Sequence, residues 1–169
     1  MKEGRFTRAM LIHVIFAFLC ILCSINIFFF SNQPADDSYE LTGSVVTAFT
    51  QEPTTQDDWD LRAEMVMFIR KFAHALIYFV LGCFLRILLE TSPCLRKKRE
   101  FSRIGYYYII ITIHACLDEF HQLFVEGRGA SIIDVVIDIS GATIGLGVVI
   151  MLERALCRKR GKKQNENCM

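Results

Sequence analysis

Four long apolar runs dominate the chain: Ala9 to Phe30, Met65 to Leu89, Ile104 to Val125 and Ser131 to Leu152. Each approaches or exceeds the about 20 residues that a helix needs to cross about 30 Å of hydrocarbon. The pattern predicts an all-α integral membrane bundle of four transmembrane helices. Between the first two runs, residues 31–64 are rich in Asp, Thr, Ser and Gln and include Pro34 and Pro53. That composition argues against a folded ectodomain and for a loop or partial helix near the membrane surface, where Trp59 beside Leu61 suits an interfacial anchor. No internal repeat is evident, so residues 1–169 read as one membrane domain.

Charge orients this bundle, because Lys and Arg near span ends set topology more strongly than acids do. Lys2, Arg5 and Arg8 precede the first run, Arg96 to Arg99 and Arg103 separate the second from the third, and Arg154, Arg158, Lys159, Arg160, Lys162 and Lys163 follow the fourth. Asp36, Asp37, Glu40, Glu52, Asp57, Asp58, Asp60 and Glu64 fill the long loop, and a short turn around Glu126 to Ala130 joins the last two runs. Every segment agrees on an N-in, C-in, multi-pass arrangement. A composition of 53% hydrophobic and 22% charged residues, with a mean hydropathy of +0.35, is apolar for a soluble domain of this length.

The basic tail reads as a topology and anionic-lipid signal, and no nucleic-acid partner is expected. The first run is too long for an ordinary signal-peptide core, and Phe28-Phe29-Phe30-Ser31 has no small-x-small cleavage pattern, so it is expected to stay as a span. Cys20, Cys23, Cys83 and Cys116 fall within runs, while Cys94, Cys157 and Cys168 fall on the expected cytoplasmic side. Disulfides are therefore not expected, and Cys20-x-x-Cys23 reads as two small packing residues.

Chemistry concentrates in the last three runs. Arg70, His74 and Tyr78 are spaced by four and share a helical face, with Lys71 one position around. His114, Asp118 and Gln122 repeat that spacing with Glu119 and His121 beside them, and Ser131, Asp134 and Asp138 do nearly the same. At a rise of about 1.5 Å per residue, Asp118, Asp138, Arg70 and His74 fall roughly 8–14 Å below the outer boundary. Ionised groups there should face one another or a wet cavity, since even one costs at least about 2.5 kcal/mol in lipid. With Arg128 these groups outnumber what stapling a bundle requires, which predicts an outward-facing polar pocket. Gly141 and Gly145, with Gly147 beyond, predict close helix packing. Tyr78 is open between pocket and packing roles, and His13 and His114 read as packing histidines.

Arg70-Lys71-Phe72-Ala73-His74 with Tyr78 and Gly82, Asp118-Glu119-Phe120-His121-Gln122 followed by Gly127-Arg128, and then Ser131, Asp134, Asp138, Gly141 and Gly145 together resemble the VanZ-like membrane protein family. The string Phe30-Ser31-Asn32-Gln33-Pro34 extends the resemblance over nearly the whole chain. Two positions depart from the family pattern: Glu126 stands where Pro is common before Gly-Arg, and Asp138 stands where many members have Asn, which bears on the charge of the pocket. The resemblance implies a bacterial cell (plasma) membrane protein of a family whose namesake is linked to teicoplanin resistance. It supplies no established reaction.

Three functions remain open. As a binding module, Arg70, Lys71, His74 and Arg128, with Gln122, would hold an anionic head group such as a polyprenyl phosphate or a polyprenyl-linked cell-wall precursor, guanidinium forks suiting phosphate. As an enzyme, Asp118, Glu119, His121, Asp134 and Asp138 would supply acid/base groups or a divalent-ion site toward an envelope lipid or glycan, although their spacing matches no defined metal signature. As a structural protein or proton relay, the same charges would latch the bundle. Transport has the least support, because four spans without inverted repeats leave little room for alternating access unless the chain forms a homo-oligomer. The sequence specifies no cofactor.

Overall fold

A computed structural model describes residues 2–33, 35–49, 55–95 and 97–166; Pro34, Glu52, Pro53, Arg96 and Cys168 lie outside that set. Five helices follow in order: α1 (Lys2–Ser31), α2 (Ala35–Phe49), α3 (Gln56–Thr91), α4 (Glu100–Gln122) and α5 (Ile132–Glu166). The described residues contain no strand. Three helices are long and apolar enough to cross a membrane: α1 over Ala9–Ser31, α3, and α5 over Ile132–Arg158.

The third expected span, α4, has 23 residues but lies below that apolarity, because it carries Tyr106, Tyr107, Tyr108, His114, Asp118, Glu119 and His121. Much of its polarity is turned inward. Tyr107, Asp118, Glu119 and Gln122 are buried, whereas Ile109, Ile113, Leu117 and Phe120 point out.

Residues 31–64, expected to form a loop or partial helix, are helical at most of their described positions. α2 occupies the middle, and α3 begins nine residues before the apolar run does. The cause is local: Thr55 accepts a hydrogen bond from the Asp58 amide at 3.2 Å, and Asp58 Oδ2 accepts one from the Thr55 amide at 2.9 Å. This capping box satisfies orphan donors of the first turn and sets the helix start ahead of the hydrophobic segment. α2 lies on that extension, held where the Arg62 guanidinium donates to Thr47 Oγ1 at 2.7 Å and to the Gly43 carbonyl at 3.2 Å.

α3 is the axis of the bundle. α5 packs along most of it, α1 lies on another side, and α4 leans on α5, α3 and α1. The α3–α5 crossing is close because a side chain at Gly141 would collide with the Ala75 carbonyl, and one at Gly145 with the Phe79 carbonyl. Gly82 performs the same service from α3, where a Cβ would meet the Tyr107 hydroxyl and the Ala142 backbone. Gly147 faces open space instead, so the packing role expected for it does not hold. The core between these helices consists of Tyr78, Leu81, Leu85, Leu89, Tyr107, Ile111, Ala115, Ala142 and Leu146 with Ile27. Apolar side chains such as Leu11, Phe18, Phe68, Phe72, Ile144 and Met151 point outward, as they do on a lipid-facing surface.

The two ends of the bundle carry different polar clusters. At the end formed by the α3–α4 connection, buried Arg86 bonds Glu90, Glu100 and Glu153, and Arg103 bonds Glu90 and Glu100, so one network ties α3, α4 and α5. Nearby, His13 Nδ1 lies 3.2 Å from Thr91 Oγ1, a packing role that joins α1 to α3.

Candidate functional site

The other end holds the expected cluster. His74 on α3 points between the carboxylates of α4 and α5: its Nδ1 is 3.9 Å from Asp118 Oδ2 and 3.6 Å from Asp138 Oδ1. The two acids are 0% and 1% exposed, which makes them the most deeply buried carboxylates of the site. One helical turn nearer the end, Lys71 reaches Asp134 Oδ1 at 2.6 Å. A three-residue step along α3 and a four-residue step along α5 thus stack two cross-helix pairs, Lys71 with Asp134 above His74 with Asp138.

α4 supplies the remaining polar groups through its last turn. Gln122 Nε2 donates to Ser31 Oγ of α1 at 2.7 Å and to Asp118 Oδ2 at 3.3 Å, which fixes the orientation of that carboxylate. Glu119 Oε2 accepts the Ser131 amide at 2.7 Å, so an acid of α4 caps the start of α5. The connection between them is a tight turn: the Arg128 amide donates to the Val125 carbonyl at 3.1 Å, and Gly127 takes a left-handed φ of 73°. That is the pattern of a type II turn, whose third residue favours glycine and whose second accepts proline; Glu126 occupies the second place here. The turn carries Arg128 to the same cavity as His74, Asp134 and Asp138.

These elements enclose a cavity of about 430 Å³. Its polar wall contains Arg70, Lys71, His74, Glu119, Gln122, Arg128, Asp134 and Asp138, while Met67, Ile69, Ile77 and Ile137 supply apolar surface. Of the ten binding or acid/base candidates named from the sequence, eight line the cavity, Asp118 sits directly behind the wall, and His121 lies elsewhere. Such a space suits one polar head group with a short apolar stem.

Other sequence candidates lie elsewhere. Tyr78 is fully buried beneath the cavity, its hydroxyl 3.0 Å from His114 Nδ1, so both are packing residues. His121, considered with the acids, turns away from them and packs edge-on against Phe28 of α1; one residue around a helix is about 100°. Ser131 contributes its backbone amide, not its hydroxyl, to Glu119. Phe30, Gln33, Thr42 and Val45 also line the cavity and were not anticipated. Ser31 and Gln33 belong to a polar string directly after the first apolar run, a signal readable in advance; Thr42 and Val45 arrive only through the docking of α2.

His74, Asp118 and Asp138 are the described residues that bring three ligand atoms together, all within 4.8 Å of one another. Two carboxylate oxygens there, Asp118 Oδ1 and Asp138 Oδ2, are buried without a hydrogen-bond partner. A family model described as VanZ/LLP1 matches residues 16–153. No curated protein and no solved structure matches the chain.

Proposed function

The chain belongs to the VanZ/LLP1 family, and from that membership and the chemistry of the cavity we propose that it is a multi-pass protein of the bacterial cell membrane whose cavity binds an anionic lipid head group. The ligand class is a polyprenyl phosphate or a polyprenyl-linked cell-wall precursor. One observation carries this reading: Arg70, Lys71 and Arg128, from two different parts of the chain, line a single cavity that also has an apolar wall. Guanidinium forks pair with phosphate oxygens bidentately, and the aliphatic side chains would accept the first carbons of the lipid. Lys71 is steadied by Asp134, so a cation is held in place before any ligand arrives.

The same proposal makes α4 a fourth span, with its polar side chains shielded inside the bundle, and places both termini and the α3–α4 connection in the cytoplasm. The cavity then opens toward the outer leaflet. Protection against teicoplanin-type glycopeptides is the cellular role that this location and ligand class would explain.

Binding of a short-chain polyprenyl phosphate to detergent-purified protein tests the reading directly. Arg128→Ala should weaken it at least about tenfold, since a hydrogen bond to a charged group contributes about 1.5–3 kcal/mol. A neutral polyprenol should bind weakly to both proteins. Equal affinity of wild type and Arg128→Ala for the phosphate, at equal monodispersity, would overturn the proposal. In cells, loss of teicoplanin survival with Arg128→Ala at normal membrane levels should follow.

A further inference from the structure

Behind the cations, the floor of the cavity has a different character. We propose that His74, Asp118 and Asp138 form a binding site for one divalent transition-metal ion, with zinc the best match. The imidazole nitrogen stands 3.6 and 3.9 Å from the two carboxylates. A tetrahedral ion with bonds of about 2.0–2.2 Å holds its ligands about 3.4 Å apart, so the imidazole already stands within about half an ångström of that spacing from each carboxylate, and all three ligand atoms lie within 4.8 Å of one another.

Burial supplies the second argument. Asp118 and Asp138 are essentially inaccessible, and in each the oxygen beside the one that faces His74, Oδ1 of Asp118 and Oδ2 of Asp138, is buried with no hydrogen-bond partner, so neither carboxylate is fully matched within the protein. Lone pairs left unmatched in such a place cost free energy unless a cation takes them. A dication would also offset the charge of both carboxylates at once.

Donor type selects the ion. Magnesium and calcium prefer all-oxygen sites, whereas one imidazole with two carboxylates suits zinc or, less tightly, manganese. The surroundings are those of a supported site as well. Gln122 fixes the Asp118 carboxylate and is itself anchored on Ser31 of α1, which is how outer groups orient ligands. Three protein ligands leave a coordination position open. Because His74 and Asp138 line the cavity, that position faces the space into which Arg70 and Arg128 project. An anionic oxygen held by the arginines would complete the coordination, so the ion deepens the lipid-binding reading for the identity of that fourth ligand but binds without it.

The test uses full-length protein purified in detergent, stripped with a chelator, and titrated by equilibrium dialysis with zinc or manganese in the absence of lipid, the bound metal being quantified by elemental mass spectrometry. Wild type should take up close to one zinc per chain, with manganese weaker. Asp138→Asn and His74→Gln should each weaken uptake at least about tenfold, while His13→Gln, which removes an imidazole at the opposite end of the bundle, should leave it unchanged. Far less than one equivalent in wild type, or equal uptake by all the variants, would overturn the site. Should a ligand variant fail to fold, cobalt(II) titration of wild type decides: intense visible bands of tetrahedral cobalt support the site, and their absence refutes it. Zinc uptake by an Arg128→Ala protein that no longer captures polyprenyl phosphate would separate the metal site from the lipid reading.

Discussion

A methyl group added at Gly141 would overlap the Ala75 carbonyl, and helical backbone on both sides gives neither partner room to retreat. Gly141→Ala should therefore lower stability by about 1–3 kcal/mol, the usual scale of overpacking, read as a fall in melting temperature in detergent. Gly105 has nothing within 4 Å of the corresponding position, and Gly105→Ala should be neutral or stabilising by up to about 1 kcal/mol through helix propensity. The four-residue spacing made much of the site legible at this scale: Asp118 and Gln122 do share a face and a hydrogen bond, and Lys71 does meet an acid one turn from the His74 pair. What spacing did not convey is rotation between helices. It gave no reason to separate His121 from Glu119, or Gly147 from Gly145, because which face meets a neighbour is decided by packing rather than by period.

At the scale of helices, hydropathy located the apolar segments of α1, α3 and α5 but not their ends, since a helix continues past the membrane wherever a cap or a partner favours it. The Thr55–Asp58 capping box was present in the sequence as a short local signal inside a polar stretch. Only the Arg86–Glu90 step of four on α3 was legible in the Arg86 cluster, because Glu100 and Glu153 arrive from α4 and α5. Arg86→Met should leave those acids facing one another. Breaking a buried pair costs about 3–5 kcal/mol, but the acids are 27–46% exposed, so about 2 kcal/mol is expected, measured as a lower melting temperature with polyprenyl phosphate affinity preserved. A parallel loss of affinity would show that the two polar clusters communicate along α3.

For the whole molecule, the proposed orientation makes a labelling prediction. Cys94 and Cys157 are exposed near the ends assigned to the cytoplasm. In variants that keep only one of them, a charged maleimide that cannot cross membranes should label neither in intact cells and both after permeabilisation. A cysteine introduced by Glu40→Cys on α2 should react in intact cells. Labelling of Cys94 from outside would invert the topology and the side on which the cavity opens.

α4 also bears on how the protein is made. A helix carrying Asp118, Glu119 and three consecutive tyrosines partitions poorly on its own, since an acid costs about 2.5–3.5 kcal/mol at a helix centre and a smaller penalty toward the end where these two stand. Its acids find partners on α3, already synthesised, and on α5, not yet emerged, and the Glu119 bond to the Ser131 amide closes only when both arms are present. In the proposed four-span arrangement, α4 and α5 would enter the bilayer as a single hairpin released by the translocation machinery, with the turn that carries Arg128 as its leading tip.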